Sequence, residues 1–250
     1  EVVNMIAIPG VSRFNPYFMT DEEILTLNTG REKELAFALD LIEKNIQRKV
    51  SLQHLLIHGP RGIGKSFFLR LLQIRLKKEK TIKMILLPEE QMNIYQPSDL
   101  LLVIKNRLLN KDESENIGSW FEESRDEWNR EVGELKKVIT DAKIHLVVGI
   151  ENFDLFFSRS GAFSSKENQY LFRQYLTVQT QIIFIASTLY PGIDSRYDQE
   201  LFHTFTKYEL IPWQESQHER YLHKRAEEEK VKVKDISLAQ LKALTHFTGG

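Results

Sequence analysis

The sequence predicts an α/β fold in which a parallel five-stranded sheet lies between helices and is followed by a helical unit. Short apolar runs, typical of buried strands, alternate with stretches whose apolar residues recur every three or four positions, as on one face of a helix. This alternation stops at Pro212, and only helical patterns follow it. Strands separated by helices favour a parallel sheet that is covered on both faces.

The elements can be assigned in chain order. Residues 1–30 mix proline, glycine and aromatic residues without a period, so we expect an irregular arm that packs against the rest. Strands are predicted at residues 53–58, 82–87, 144–150, 181–186 and 207–211, and helices at residues 31–49, 65–80, 100–109 and 169–178. The predicted organisation is therefore an arm (1–30), a nucleotide-binding domain (31–212) and the start of a truncated helical lid (213–250).

One polar stretch allows two interpretations. Residues 111–143 are dense in charged side chains but include Trp120, Phe121 and Trp128. A surface helix with one aromatic stripe is the preferred interpretation, and a surface on which nucleic-acid bases stack is the alternative.

Composition excludes several classes of protein. The 250 residues carry 34 basic and 35 acidic side chains, a net charge of -1, which argues against an overall basic nucleic-acid binder. Hydrophobic residues make up 42%, which excludes a disordered chain. The absence of cysteine excludes thiolate chemistry and fits a reducing compartment, and no apolar run is long enough to span a membrane. We therefore expect a cytoplasmic protein.

A glycine-rich loop follows the first predicted strand. Residues 59–66 match the phosphate-binding pattern G-x-x-x-x-G-K-[ST] in full, between an apolar strand and an amphipathic helix, a context that argues against a chance match. Glycines let backbone N–H groups approach phosphate oxygens, and the start of the helix attracts the same anion. We expect Lys65 to lie between the β- and γ-phosphates and Ser66 to bind Mg²⁺. The predicted nucleotide-binding residues here are Gly59, Pro60, Arg61, Gly62, Ile63, Gly64, Lys65, Ser66 and Phe67.

An acidic segment and a hydroxyl pair end two further strands. The apolar run at residues 146–150 leads into Glu151, Asn152 and Asp154. Ligands gather where parallel strands end, so Glu151 is predicted to reach Mg²⁺ directly or through a water, unless these acids only close the strand at the surface. Ser187 and Thr188 end the next strand and either contact the γ-phosphate or attacking water, or serve the turn alone.

The order of these parts resembles the AAA+ family, in particular its initiator-like and STAND-like branch in bacteria and archaea. The similarity covers nearly the whole chain from Gly30 onward, and residues 29–35 look like the G-R-E-x-E-L box that lines the adenine side of the pocket. The resemblance implies that Gly30 and Arg31 bind the nucleotide. It also implies that residues 59–66 are Walker A, residues 151–154 Walker B, and Ser187 and Thr188 the sensor 1 position.

The sequence departs from this family at Walker B. The family usually has Asp-Glu where this chain has Glu151 and Asn152, so an amide replaces the expected catalytic glutamate. Asn152 can position a water but cannot take its proton. Asp154 is a substitute base, although on a continued strand it would point in the wrong direction.

The sequence also departs from the family at the arginine finger. No arginine lies immediately beside Phe202 or Phe205, where the trans-acting finger often lies. Arg196 is the nearest candidate, followed by Arg159 and Arg173, each with a solvated surface role as the alternative. Residues 247–250 look like the approach to the sensor 2 motif, whose arginine would follow the last residue.

These features predict an ATP-binding AAA+ module whose slow, Mg²⁺-dependent hydrolysis is coupled to oligomer assembly or effector gating. The resemblance implies ATP as the nucleotide, in agreement with the absence of the N-K-x-D base reader of a GTPase, and the P-loop predicts Mg²⁺ as the metal. The expected partners are further copies or a larger complex at the nucleotide edge. A scaffold or switch with negligible hydrolysis, and a DNA-associated ATPase of a mobile-element or defence system, are the alternatives.

Overall fold

The computed structural model describes residues 15–47, 53–88, 94–111, 125–158, 161–190, 201, 204–229, 237, 239–240 and 242–243. Its elements follow one another as α1 (Asp21–Leu27), α2 (Glu32–Gln47), β1 (His54–His58), α3 (Lys65–Leu76), β2 (Ile82–Leu87), α4 (Pro97–Leu108), α5 (Arg125–Ala142), β3 (His145–Ile150), a 3₁₀ helix (Phe153–Phe157), α6 (Lys166–Val178), β4 (Ile182–Thr188), β5 (Phe205–Glu209) and α7 (Glu215–Glu229).

The described strands form one parallel sheet. Five strands lie in the order β2-β3-β4-β1-β5, and every neighbouring pair is parallel. The register places Leu55 of β1 opposite Ile185 of β4. The predicted parallel five-stranded sheet is therefore confirmed, and β1, which leads into the glycine loop, lies inside it.

Each strand contributes to two cores because successive side chains point to opposite faces. On β1, Leu56 belongs to the core covered by α4, α5 and α6, whereas Leu55 and Ile57 belong to the core covered by α1, α2 and α3. Both faces are therefore buried, which explains the nearly continuous apolar runs that predicted the strands.

The expectation of an irregular arm is wrong for residues 21–27, which form α1. Thr20 caps this helix: its hydroxyl accepts from the Glu23 N–H at 3.2 Å, while the Glu23 carboxylate accepts from the Thr20 N–H at 2.7 Å. Ile24 and Leu27 are buried on its inner face. Residues 1–14 lie outside the described residues.

Helix α5 supports the first of the two interpretations of the polar stretch. Trp128 is 4% exposed and packs edge-on against Tyr175 of α6, with ring centroids 5.6 Å apart. It is a core residue and cannot stack on a nucleic-acid base in this arrangement. Trp120 and Phe121 lie outside the described residues.

Helical structure follows the sheet as expected. Helix α7 begins at Glu215, and most of residues 230–250 lie outside the described residues, including the segment predicted to approach sensor 2. Among the helices that the structure describes, none combines the length and the apolar character that a membrane crossing requires.

Candidate nucleotide-binding site

The glycine loop has the backbone that phosphate binding requires. Between β1 and α3, Gly59, Gly62 and Gly64 have φ angles of 155°, 86° and 94°. A Cβ atom built on Gly62 or Gly64 would meet nothing within 4 Å, so open space lies above the loop. Lys65 is the first residue of α3, whose free N–H groups and positive dipole end face this space.

The remaining residues of the loop differ in their surroundings. Pro60 and Arg61 are exposed, and Ile63 is buried beneath the loop. Ser66 and Phe67 are half-buried in the first turn of α3. All these predicted nucleotide-binding residues lie together at the end of β1, and their role in binding stays a prediction.

The ammonium group of Lys65 is held against the loop. Its Nζ donates to the carbonyl oxygens of Gly59 at 2.7 Å and of Pro60 at 3.0 Å, and the residue is 8% exposed. Burial lowers the pKa of Lys65, while the negative charges of Asp154 and Glu151 act in the opposite direction. The acidic segment after β3 therefore lies within electrostatic reach of the P-loop lysine.

The acidic segment leaves the sheet in a sharp turn. Glu151 is buried, and its N–H donates to the Leu87 carbonyl at 3.0 Å, which continues the ladder between β2 and β3. Asn152 has a φ angle of 44°, in the left-handed region, and precedes the 3₁₀ helix that carries Asp154. The left-handed turn ends the strand before Asp154, so the direction that a continued strand would give this side chain does not apply, and its role as a substitute base stays a prediction.

The hydroxyl pair at the end of β4 lies between the acidic segment and the P-loop. Ser187 and Thr188 are both buried, and the register places Thr188 opposite His58, the residue before the glycine loop. The Thr188 hydroxyl donates to the Asp154 carboxylate at 2.9 Å. The structure thus brings Thr188 and Asp154 into direct contact.

Arg31 joins segments that are far apart in the chain. Its guanidinium is 3% exposed and pairs with Glu34 at 2.9 Å. It also donates to the Ile63 carbonyl of the loop at 2.9 Å and to the Ile211 carbonyl beyond β5 at 3.0 Å. Its described hydrogen bonds therefore go to protein groups, and a contact with the nucleotide stays a prediction.

Helix α7 contacts the same region. The Gln217 side chain donates to the Gly30 carbonyl at 3.0 Å, and Lys224 donates to the Asn28 carbonyl at 3.0 Å. A Cβ atom on Gly30, whose φ angle is 74°, would lie 2.0 Å from the Gln217 amide nitrogen. The positive φ angle favours glycine at this position, and a larger residue would also displace the Gln217 side chain.

The donor set fits Mg²⁺ held together with phosphates. In the described part of the chain, no group of three His, Cys, Asp or Glu residues could hold a metal ion by itself. Mg²⁺ in nucleotide sites usually takes one or two protein ligands, substrate phosphates and waters. Ser66, in the first turn of α3, and the buried Glu151 supply a hydroxyl and a carboxylate, which are ligands of the required type.

Tyr17 is a neighbour of Glu151 that the sequence did not predict. The hydroxyl of Tyr17, in the arm before α1, is buried, and burial followed by the negative charge of Glu151 raises the pKa of this phenol. No sequence pattern connects the two residues.

Among the candidate finger arginines, Arg173 is half-buried on α6, whereas Arg159 and Arg196 lie outside the described residues.

Neither a family model nor a curated protein matches the chain, but solved structures share its fold. The Aeropyrum pernix Orc1 protein in complex with DNA has a TM-score of 0.59 at 17% identity, over 80% of this chain and 50% of that one. The ORC2 protein of the same organism, in ADPNP-ADP complexes, has 0.57 at 16%, over 79% and 51%. Cdc6p from Pyrobaculum aerophilum has 0.55 at 16%, over 79% and 49%. This chain thus spans about half the length of these proteins and shares the fold of the part that it covers.

Proposed function

We propose that the chain is an ATP-binding AAA+ module that hydrolyses ATP slowly with Mg²⁺ and couples the nucleotide state to its helical lid. The observation that carries the proposal is the loop after β1, where Gly62 and Gly64 leave open space above a helix that begins with Lys65. Backbone N–H groups, a helix N-terminus and an ammonium group together form an anion site suited to a triphosphate.

Each group has a definite task in this proposal. Lys65 exchanges its carbonyl partners for the β- and γ-phosphates, a stronger charge-assisted interaction. Ser66 and Glu151 hold Mg²⁺, directly or through water, and the metal would supply charge neutralisation at the phosphates. Base recognition is assigned to the segment around Gly30, which lies between the loop and α7.

The contacts of α7 support coupling to the lid. Gln217 and Lys224 bond backbone carbonyls at the start of the predicted box, at Gly30 and Asn28. A nucleotide against this segment would favour one position of α7 by its differential contacts. Assembly with further copies through the nucleotide edge belongs to the same proposal.

Calorimetric titration with ATP and Mg²⁺ tests the site. Lys65→Ala should weaken binding by about 10- to 100-fold, because a charge-assisted contact of about 1.5 to 3 kcal/mol is lost. Lys78→Ala, at the exposed far end of the same helix region, is the matched control and should bind like the wild type. Equal affinity of the Lys65→Ala and wild-type proteins, or no binding by either, would refute the proposal.

A nucleotide-occupied scaffold is the second candidate, and Asn152 is the observation that favours it. An amide cannot accept the proton of the attacking water. Phosphate release from the purified protein across a concentration series separates the two candidates. Retained, unhydrolysed ATP at every concentration would favour the scaffold, whereas steady release would favour the enzyme.

A DNA-associated ATPase is the third candidate, favoured by the Orc1 protein that shares the fold and was solved with DNA. Fluorescence anisotropy with duplex DNA over a salt series tests it, since phosphate contacts release counterions and make affinity fall steeply with salt. Absence of a salt-sensitive signal in both the ATP-bound and nucleotide-free protein would remove this candidate.

A further inference from the structure

The carboxylate of Asp154 is held by a hydrogen bond from a neighbouring strand. Thr188 is fully buried, and its hydroxyl lies 2.9 Å from Asp154 Oδ1 and 3.1 Å from the Tyr190 carbonyl oxygen. The single hydroxyl proton favours the charged acceptor, because hydrogen bonds to ionised groups are about twice as strong. Among the described side chains, Thr188 is the one that bonds Asp154.

The fold explains this contact. Strand β4 lies between β1 and β3, with Ala186 opposite Ile150 and Thr188 opposite His58. The last residue of β4 therefore reaches beyond the end of β3 and lies beside the start of the P-loop. Asp154 meets Thr188 at this edge because the 3₁₀ helix after β3 packs against β4.

Asp154 lies at the edge of the sheet where the P-loop begins. The Thr188 hydroxyl that bonds it belongs to the residue opposite His58, and His58 immediately precedes the loop. Asp154 is half-buried, which leaves it accessible to a water molecule.

Asn152 has a conformational role in the same turn. Its φ angle of 44° lies in the left-handed region, which asparagine tolerates far better than glutamate. Its carbonyl accepts from the Leu155 N–H at 2.9 Å and starts the 3₁₀ helix. The left-handed backbone of this turn therefore explains why position 152 is an asparagine and not a glutamate.

We propose that Asp154 is the catalytic base for the attacking water, that Thr188 is its positioning residue, and that Asn152 serves only the turn. This inference rests on the proposed ATP hydrolysis. The water oxygen forms a bond to the γ-phosphorus as the bond to the β,γ-bridging oxygen breaks. The water proton passes to the Asp154 carboxylate, and ADP and inorganic phosphate leave.

Four variants test the assignment by separate measurement of ATP affinity and single-turnover rate. Asp154→Asn should lower the rate by about 100-fold or more, the usual contribution of a positioned base, with ATP affinity unchanged within about 3-fold. Asn152→Gly preserves the left-handed turn and should keep the rate within about 3-fold of wild type. Thr188→Val should lower the rate by about 10-fold, and Thr188→Ser, which restores the hydroxyl, should recover it.

Asp40→Asn, an exposed acid-to-amide change on α2, is the matched control for charge. The inference is overturned if Asp154→Asn keeps the wild-type rate, if Asn152→Gly alone loses it, or if wild-type protein binds ATP and never hydrolyses it. Failure of the wild-type protein to bind ATP overturns the proposed function as well, so the affinity measurement distinguishes the two failures.

Discussion

The buried histidine at the start of β1 should make folding stability depend on pH. His54 is fully buried, its ring packs against Phe184 and Phe205, and its Nδ1 accepts from the Phe184 N–H at 3.1 Å. The proton therefore resides on Nε2, 3.3 Å from the Leu176 carbonyl oxygen. A second proton would remove the acceptor for Phe184 and place a charge among aromatic rings.

The magnitude follows from the shift in pKa. Burial lowers the pKa of His54 from 6.5 to about 4. Between these values the unfolded chain binds a proton that the folded protein does not, so stability is complete above pH 6.5 and falls as the pH falls toward 4. At about 1.4 kcal/mol for each pKa unit, the loss across the window is about 3 kcal/mol.

Urea unfolding at half-unit steps from pH 7.5 to 3.5 measures this loss. His54→Asn keeps a side-chain acceptor but cannot titrate, so its decline in unfolding free energy across the window should be smaller than that of wild type by about 3 kcal/mol. His145→Asn removes a histidine from the start of β3 and is the matched control. Equal declines in the His54→Asn and wild-type proteins would refute this account of His54.

Three further predictions concern stability and are measured by urea or thermal unfolding. Thr20→Ala removes the cap of α1 and should cost about 1 kcal/mol. Lys105→Met removes the ammonium that lies 2.6 Å from the buried Glu131 and leaves this carboxylate only the exposed Arg130 guanidinium at 3.4 Å, so it should cost about 3 kcal/mol. Combining it with Glu131→Leu should recover most of the loss, and no recovery would contradict this. Gly59→Ala places a Cβ atom 3.0 Å from a backbone oxygen and should destabilise by about 1 to 3 kcal/mol, whereas Gly133→Ala, in open space within α5, should stabilise.

Local patterns were sufficient for much of the fold and for the phosphate loop. The strand predicted at residues 82–87 is Ile82–Leu87 in the structure. Its boundaries could be predicted because the apolar run is short and Pro88 follows it directly. The loop motif likewise includes its own context of strand and helix. Helix α1 was missed, although its T-x-x-E capping box is present in the sequence. Its seven residues include only two buried positions, which is too few to show a helical period.

Contacts between distant segments could not be predicted in this way. The bond between Arg31 and Ile211 spans 180 residues, and the bond between Thr188 and Asp154 spans 34. Both depend on the strand order β2-β3-β4-β1-β5, which the sequence pattern leaves undetermined. The direction of Asp154 depended further on the left-handed turn at Asn152, because a continued strand would have turned the carboxylate elsewhere.

The position of Arg31 connects these contacts to the proposed coupling. One guanidinium bonds the P-loop at Ile63 and the segment after β5 at Ile211, and it lies 5.8 Å from the centroid of the Trp213 ring. A shift of the loop on phosphate binding must therefore either carry Ile211 with it or break a buried, charged hydrogen bond. Since breaking such a bond costs about 1.5 to 3 kcal/mol, joint movement of the loop and the segment before α7 is the lower-energy course.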